Sequence, residues 1–233
     1  MSDPALPSPP ADAPALPVVY YFDLLCVWAY VGRIRVEELR QTFGAKIALD
    51  SRFVSVFGDA RRRLATRWAD KGGMAAYAEH VRAVVAGFDH VGLHPDTWAK
   101  VAPYSSGNAH VFLAAVRLLD GDGGDPRFDR AVTRLQRAFF VEARDVGERQ
   151  VQYELAEELD LSRASLQRLL DSGAAHAELA RDAELAKEQA VTVSPTLVLN
   201  EGRQRLVGNV GYRVIEANVR ELLTQRGEQH SWC

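Results

Sequence analysis

The chain has 233 residues, 47% of them hydrophobic and 25% charged, with a net charge of −3 and a pI of about 6.1. That length and apolar share suit one or two globular domains with a substantial core. The balance of charge speaks against a nucleic-acid-binding protein, which needs a basic face, and no apolar run approaches the roughly 18 residues of a membrane span.

Residues 1–17 include six prolines and lack the basic start and apolar run of a signal peptide, so a disordered leader and a cytoplasmic location are expected. In a reducing compartment a structural disulfide is not expected. Of the two cysteines, Cys233 is the last residue and Cys26 sits within a patterned segment.

Val18–Phe22 is a short run of Val and aromatic residues and predicts a buried strand. A helix is expected from Val27 to Thr42, ending near Gly44, and a second strand over Lys46–Val56. Cys26 therefore stands where the first strand gives way to the first helix. A helix N-terminus lowers a thiol's pKa, which makes Cys26 an accessible, activated candidate nucleophile whose anion the free N–H groups stabilise. The alternative is an inert, buried cysteine.

Asp59–Gly173 reads as mostly helical. Met74, Tyr77, Val81, Val84 and Phe88 recur at helical spacing, as do Phe128, Val132, Leu135 and Phe139, and then Val151, Leu155 and Leu159. Gly121–Pro126 predicts a loop, and Ser162 is a candidate N-cap for the helix carrying Leu166, Leu169 and Leu170. Another helix runs from Gly173 to Gln189. Thr196–Asn200 and Gln204–Val207 predict strands joined by a turn at Glu201-Gly202, and a last amphipathic helix carries Ile215, Val219 and Leu222. The order implies an α/β sheet domain, residues 18–58 and 174–228, interrupted by an all-helical insertion, residues 59–173.

The segment Asp23-Leu24-Leu25-Cys26-Val27-Trp28-Ala29-Tyr30, taken with Ser194-Pro195-Thr196, resembles the DsbA-like branch of the thioredoxin superfamily with its helical insertion. It looks most like the FrnE-type subfamily, whose pattern is D-x-x-C-P-W-C-Y. Asp23, Cys26, Trp28 and Tyr30 match; Val27 replaces the proline and Ala29 the second cysteine. The segment is also similar to 2-hydroxychromene-2-carboxylate isomerases and kappa-class glutathione transferases, which carry a serine at the position of Cys26 and bind glutathione. The resemblance implies a thioredoxin fold over nearly everything after residue 17.

With Ala29 in place of a resolving cysteine, a mixed disulfide on Cys26 needs an external thiol for release. This excludes dithiol oxidase chemistry by the motif. It leaves monothiol exchange, glutathione addition and thiol-assisted isomerisation. Glutathione is the candidate co-substrate, and no covalently bound cofactor is expected. By the resemblance, Pro195 is a cis-proline that leaves the backbone N–H and C=O of Ser194 free for a substrate or for glutathione. Trp28 is expected either to wall the pocket or to pack the first helical turn, and Tyr30 to be core. Asp23 either tunes Cys26, raising its pKa as a nearby negative charge must, or caps the helix. His110 is a candidate acid or base, or a satisfied structural histidine.

In the glutathione-binding relatives a G-x-D-R pattern precedes the last helix. Here that loop reads Val207-Gly208-Asn209-Val210-Gly211, with no acid, so Asn209 and the amides opening the final helix are the candidates to hold a carboxylate. The remaining histidines, His80, His90, His94, His176 and His230, show no metal spacing, and no glycine-rich phosphate loop follows a strand, so neither metal nor nucleotide is expected. The kappa-class likeness makes a homodimer an open possibility. Three readings result: a monothiol oxidoreductase acting on a small thiol or disulfide, a glutathione-dependent isomerase or transferase of a small aromatic or electrophilic substrate, and a non-catalytic binding protein on the same fold.

Overall fold

The computed structural model of the protein describes residues 14–120 and 127–224. The first strand, β1 (Leu16–Phe22), is rich in Val and aromatic residues because neighbours cover both of its faces. It pairs in parallel with β2 (Ile47–Phe53) and antiparallel with β3 (Thr196–Leu199), and β3 pairs antiparallel with β4 (Gln204–Val207). The sheet order is thus β2-β1-β3-β4, with β1 at the centre.

β1 starts two residues before the expected Val18, inside the expected leader. Pro17 enters the sheet where β1 is flanked by β2 alone, since pairing with β3 begins only at Val18. A proline is tolerated there because only one edge of the strand is engaged. Residues 1–13, the rest of that leader, lie outside the described residues, as does the expected loop Gly121–Pro126.

The two-residue period of β1 sorts its side chains. Leu16, Val18, Tyr20 and Phe22 join the large core, whereas Tyr21 packs with Val54, Ala186, Val191 and Val198 in a smaller cluster on the opposite face. Helix α1 (Val27–Phe43) follows β1 and stops at Gly44, whose φ of 49° and missing side chain let the chain turn out of the helix.

The insertion comprises α2 (Ala60–Arg67), α3 (Gly73–Val85), α4 (Gly107–Asp120), α5 (Arg127–Phe140), α6 (Arg149–Glu158) and α7 (Arg163–Asp171). Ser162 caps α7 as expected, accepting from the Ser165 amide. The expected helical periodicity fails over residues 86–106, where Gly87, Gly92, Pro95 and Pro103 break it, and Phe88 lies beyond the end of α3. Wholly buried Trp98 anchors that stretch at a φ of 62°, its ring 5.3 Å from Phe57 and 5.2 Å from Tyr77. The chain returns to the sheet through α8 (Ala174–Glu188) and ends with α9 (Tyr212–Thr224). Between β3 and β4, Asn200 and Glu201 take positive φ values of 49° and 57°, so the connection spans residues 200–203 rather than the two-residue turn expected.

Candidate functional site

Cys26 is the N-cap of α1, with an extended backbone at φ −77° and ψ 118°. The strand-to-helix junction is held by one carboxylate. Asp23 is completely buried; its Oδ1 accepts from the Leu25 amide at 3.0 Å, and its Oδ2 accepts from the amides of Val56 and Phe57 at 2.9 and 2.8 Å and from the Ser106 hydroxyl at 2.9 Å. A charge without water is tolerated only when donors surround it in this way. Asp23 is therefore more than a helix cap: it ties the end of β1 to the segment after β2 and to the start of α4.

His110 lies beside it. The Leu24 amide donates to His110 Nε2 at 3.1 Å, so that nitrogen carries a lone pair, the proton sits on Nδ1, and the ring is neutral. Burial lowers its pKa, against the pull of Asp23 and Asp182, and Phe53 stacks on the ring at 4.5 Å. His110 therefore does not act as acid or base toward the thiol, and it binds nothing on the thiol side, because its Nε2 is committed to the backbone. Toward the thiol it is a structural group, while its Nδ1–H has no hydrogen-bond partner among the described residues.

The Ser194–Pro195 peptide bond is cis. The Ser194 hydroxyl oxygen accepts from the Asp23 amide at 2.8 Å, and the Ser194 carbonyl accepts from the Cys26 thiol at 3.2 Å. That carbonyl thus already accepts one bond, from the thiol, and keeps a second lone pair.

The expectation for Cys26 itself is also corrected. The residue is only 6% exposed, and burial pushes the thiol's pKa up. The Ser194 hydroxyl and the amides of Ala29 and Trp28 pull it down, but they do not overcome burial and the charge of Asp23. The bond to the Ser194 carbonyl works in the same direction as burial, since a thiolate has no proton to donate. The helix N-terminus acts on the sulfur as expected; desolvation is the larger effect. Ala29, buried in the first turn, offers no second sulfur.

Around this centre stands an aromatic wall. Trp28 meets His80 edge-on at 6.5 Å, and Trp68 lies 5.1 Å from His80 and 5.2 Å from Tyr77. Burial raises the Tyr77 hydroxyl, and the charges of Cys26 and Asp23 add to the rise. Tyr30 is half-buried and packs on the insertion, stacked on Phe140 at 4.3 Å with its hydroxyl on the Gly92 carbonyl. Asn209 is exposed, and its Oδ1 accepts from the guanidinium of Arg35 on α1. Pro195 and Arg35, with the hydroxyl-bearing Tyr20, line a small cavity of about 20 Å³. The structure thus gathers Cys26, Trp28, Ser194 and Pro195 at one end of α1 and keeps His110 behind the Asp23 turn.

Sequence reasoning missed Ser106 as an Asp23 partner, the wall of Trp68, Tyr77 and His80, and Arg35. A signal existed for the first: an acid directly after a fully buried strand must find donors from other elements.

With this geometry in view, the chain can be compared with known proteins. The model of the DSBA-like thioredoxin domain matches residues 17–220, and the chain belongs to that family. A comparison with curated protein sequences finds no match. Among solved structures, the probable DsbA oxidoreductase of Streptomyces coelicolor superposes with a TM-score of 0.71 at 19% identity, covering 93% of this chain and 94% of that one. A 2-hydroxychromene-2-carboxylate isomerase gives 0.66 at 18% identity, covering 92% and 100%. The cytosolic disulfide reductase DsbM from Pseudomonas aeruginosa, in a structure with glutathione, gives 0.64 at 19% identity, covering 91% and 98%. At these identities the likeness is one of fold: a thioredoxin fold with a helical insertion.

Proposed function

We propose that the protein is a monothiol oxidoreductase in which Cys26 exchanges with a glutathione mixed disulfide or another small disulfide. The observation that carries this reading is the placement of a lone thiol at the N-cap of α1, in contact with the residue before a cis-proline, with Ala29 where a resolving sulfur would stand. In the exchange the Cys26 thiol loses its proton, its sulfur attacks the disulfide, one thiolate leaves, and a mixed disulfide remains. A second, external thiol then attacks that disulfide and restores Cys26. Trp28 and the backbone beside Pro195 flank the incoming disulfide, and Asn209 with Arg35 offers a polar rim for the glutathione moiety. DsbM, described as cytosolic, supports a cytoplasmic setting, and no helix among the described residues is long and apolar enough to cross a membrane.

A second reading is favoured by one observation, the burial that keeps Cys26 protonated. A thiol that stays protonated can turn its proton from the Ser194 carbonyl to a thiol co-substrate, as a glutathione-dependent isomerase or transferase would require. One assay separates the two. The glutathione-dependent reduction of a glutathionylated peptide is measured for the Cys233→Ser protein and for Cys233→Ser with Cys26→Ser. The first reading expects turnover that vanishes with Cys26. Absence of turnover in both proteins contradicts it and moves the search to isomerase substrates.

A further inference from the structure

A groove of about 580 Å³ opens on the far side of His110, between the end of β2, the start of α4 and one face of α8. Its size is that of a small-molecule site. Phe53, Val54, Leu179, Ala183, Ala186 and Val191 give it apolar walls, and Cys26, Trp28 and Ser194 do not line it.

Its polar side chains are Ser55, His110, His176, Lys187 and Thr192. Lys187 and His176 stand exposed along α8 at its edge, and no aspartate or glutamate lines it. Gly107, the first residue of the 14-residue helix α4, brings a positive helix end to it. His110, 1% exposed, is part of the lining; its Nε2 is taken by the Leu24 amide, so its Nδ1 carries a proton, and that proton has no acceptor among the described residues. That nitrogen is not among the sealed, unpartnered polar atoms of the interior, so it opens onto the groove, where an acceptor on a ligand can bond to it.

We propose that this groove binds a small carboxylic acid with an apolar body. The carboxylate meets His110 Nδ1–H and the start of α4, with Lys187 and His176 beside it, and the body lies against Phe53, Leu179 and the alanines of α8. The bound acid is one side chain away from the thiol turn. A carboxylate on Nδ1–H makes Nε2 a better acceptor and tightens its bond to the Leu24 amide. The site does not rest on the redox reading, since neither Cys26 nor an external thiol takes part in it.

Calorimetric titration of the full chain with octanoate, octanamide and acetate tests this. The expected result is saturable 1:1 binding of octanoate, with octanamide and acetate each about tenfold weaker or worse, because one lacks the charge and the other the apolar body. Ala183→Trp, an exposed position on α8, should fill the groove and abolish binding while the circular-dichroism spectrum stays unchanged. Lys187→Glu should weaken octanoate about tenfold. Cys26→Ser should bind octanoate as the parent does, and amide exchange at Leu24 should slow when octanoate is bound. Equal affinity for octanoate and octanamide, no saturable binding, or binding untouched by Ala183→Trp would overturn the proposal. So would a concentration-dependent dimer that Ala183→Trp dissolves, which would assign the groove to a second copy of the chain.

Discussion

Around Asp23, both carboxylate oxygens, the Ser194 hydroxyl and His110 Nε2 are closed on partners from four separate parts of the chain. Around Asn209, by contrast, an exposed amide meets a single guanidinium, on a loop open to solvent. The first region fixes the position and protonation of the thiol before any substrate arrives. The second leaves room for a ligand to choose its own contacts. The contrast suggests that the reactive end of the site is a matter of fold stability, and the rim a matter of affinity.

That contrast is broken most severely by Asp23→Ala, which strands three amides and a hydroxyl without their acceptor. A loss of about 3 kcal/mol or more is expected in urea unfolding. Asn209→Ala should change the same measurement by no more than about 0.5 kcal/mol. Similar losses for both would remove the distinction between the two regions.

The pH dependence of stability comes next. Cys26 is held above its ordinary value in the folded state, so its contribution is fully present below the unfolded thiol's pKa of about 8.5 and is lost as pH rises through the native value. Burial raises the hydroxyls of Tyr20 and Tyr77 as well, and they extend the loss at higher pH. Cys26→Ala should flatten the first part of this alkaline limb. His110 works at the other end: its pKa is lowered from 6.5, so stability falls as pH drops below that value, and His110→Asn should flatten the acid limb. Melting temperatures measured across pH test both; an alkaline limb unchanged in Cys26→Ala would contradict the burial argument.

Reactivity sharpens the comparison further. Alkylation of Cys26 by iodoacetamide should be slow near neutrality and keep rising beyond the range where an ordinary thiol is fully ionised. A rate already at its plateau near pH 7 would mean an activated thiolate. The smallest effect is expected at the rim, where Asn209→Ala should alter the KM for glutathione by about two- to fivefold while leaving kcat in place.

Much of this was legible in the sequence because local rules and the fold agree. The apolar run of β1, the helix beginning at Cys26, the Ser162 cap and the final hairpin all follow from short-range patterning. The Asp23 network was not legible, since its donors come from residues 25, 56, 57 and 106, which only the fold brings together. The protonation of Cys26 escaped for a related reason. The helix end that stabilises a thiolate is visible in sequence, whereas the depth of burial that opposes it depends on where Ser194, α3 and the residues after β2 come to rest. The stretch 86–106 was misread because apolar spacing continued to Phe88 while glycines and prolines had already ended the helix.

On the monothiol reading proposed above, one thiol without a resolving partner forms a mixed disulfide that only an external thiol can release. Mass spectrometry of the Cys233→Ser protein after exposure to oxidised glutathione tests it most directly, with Ala29→Cys in the same background as the reference. The expected result is one stable glutathionyl adduct, on Cys26, that persists until a thiol is added, and an adduct in the Ala29→Cys protein that resolves into an internal disulfide. No adduct on Cys26, even at alkaline pH, would contradict it.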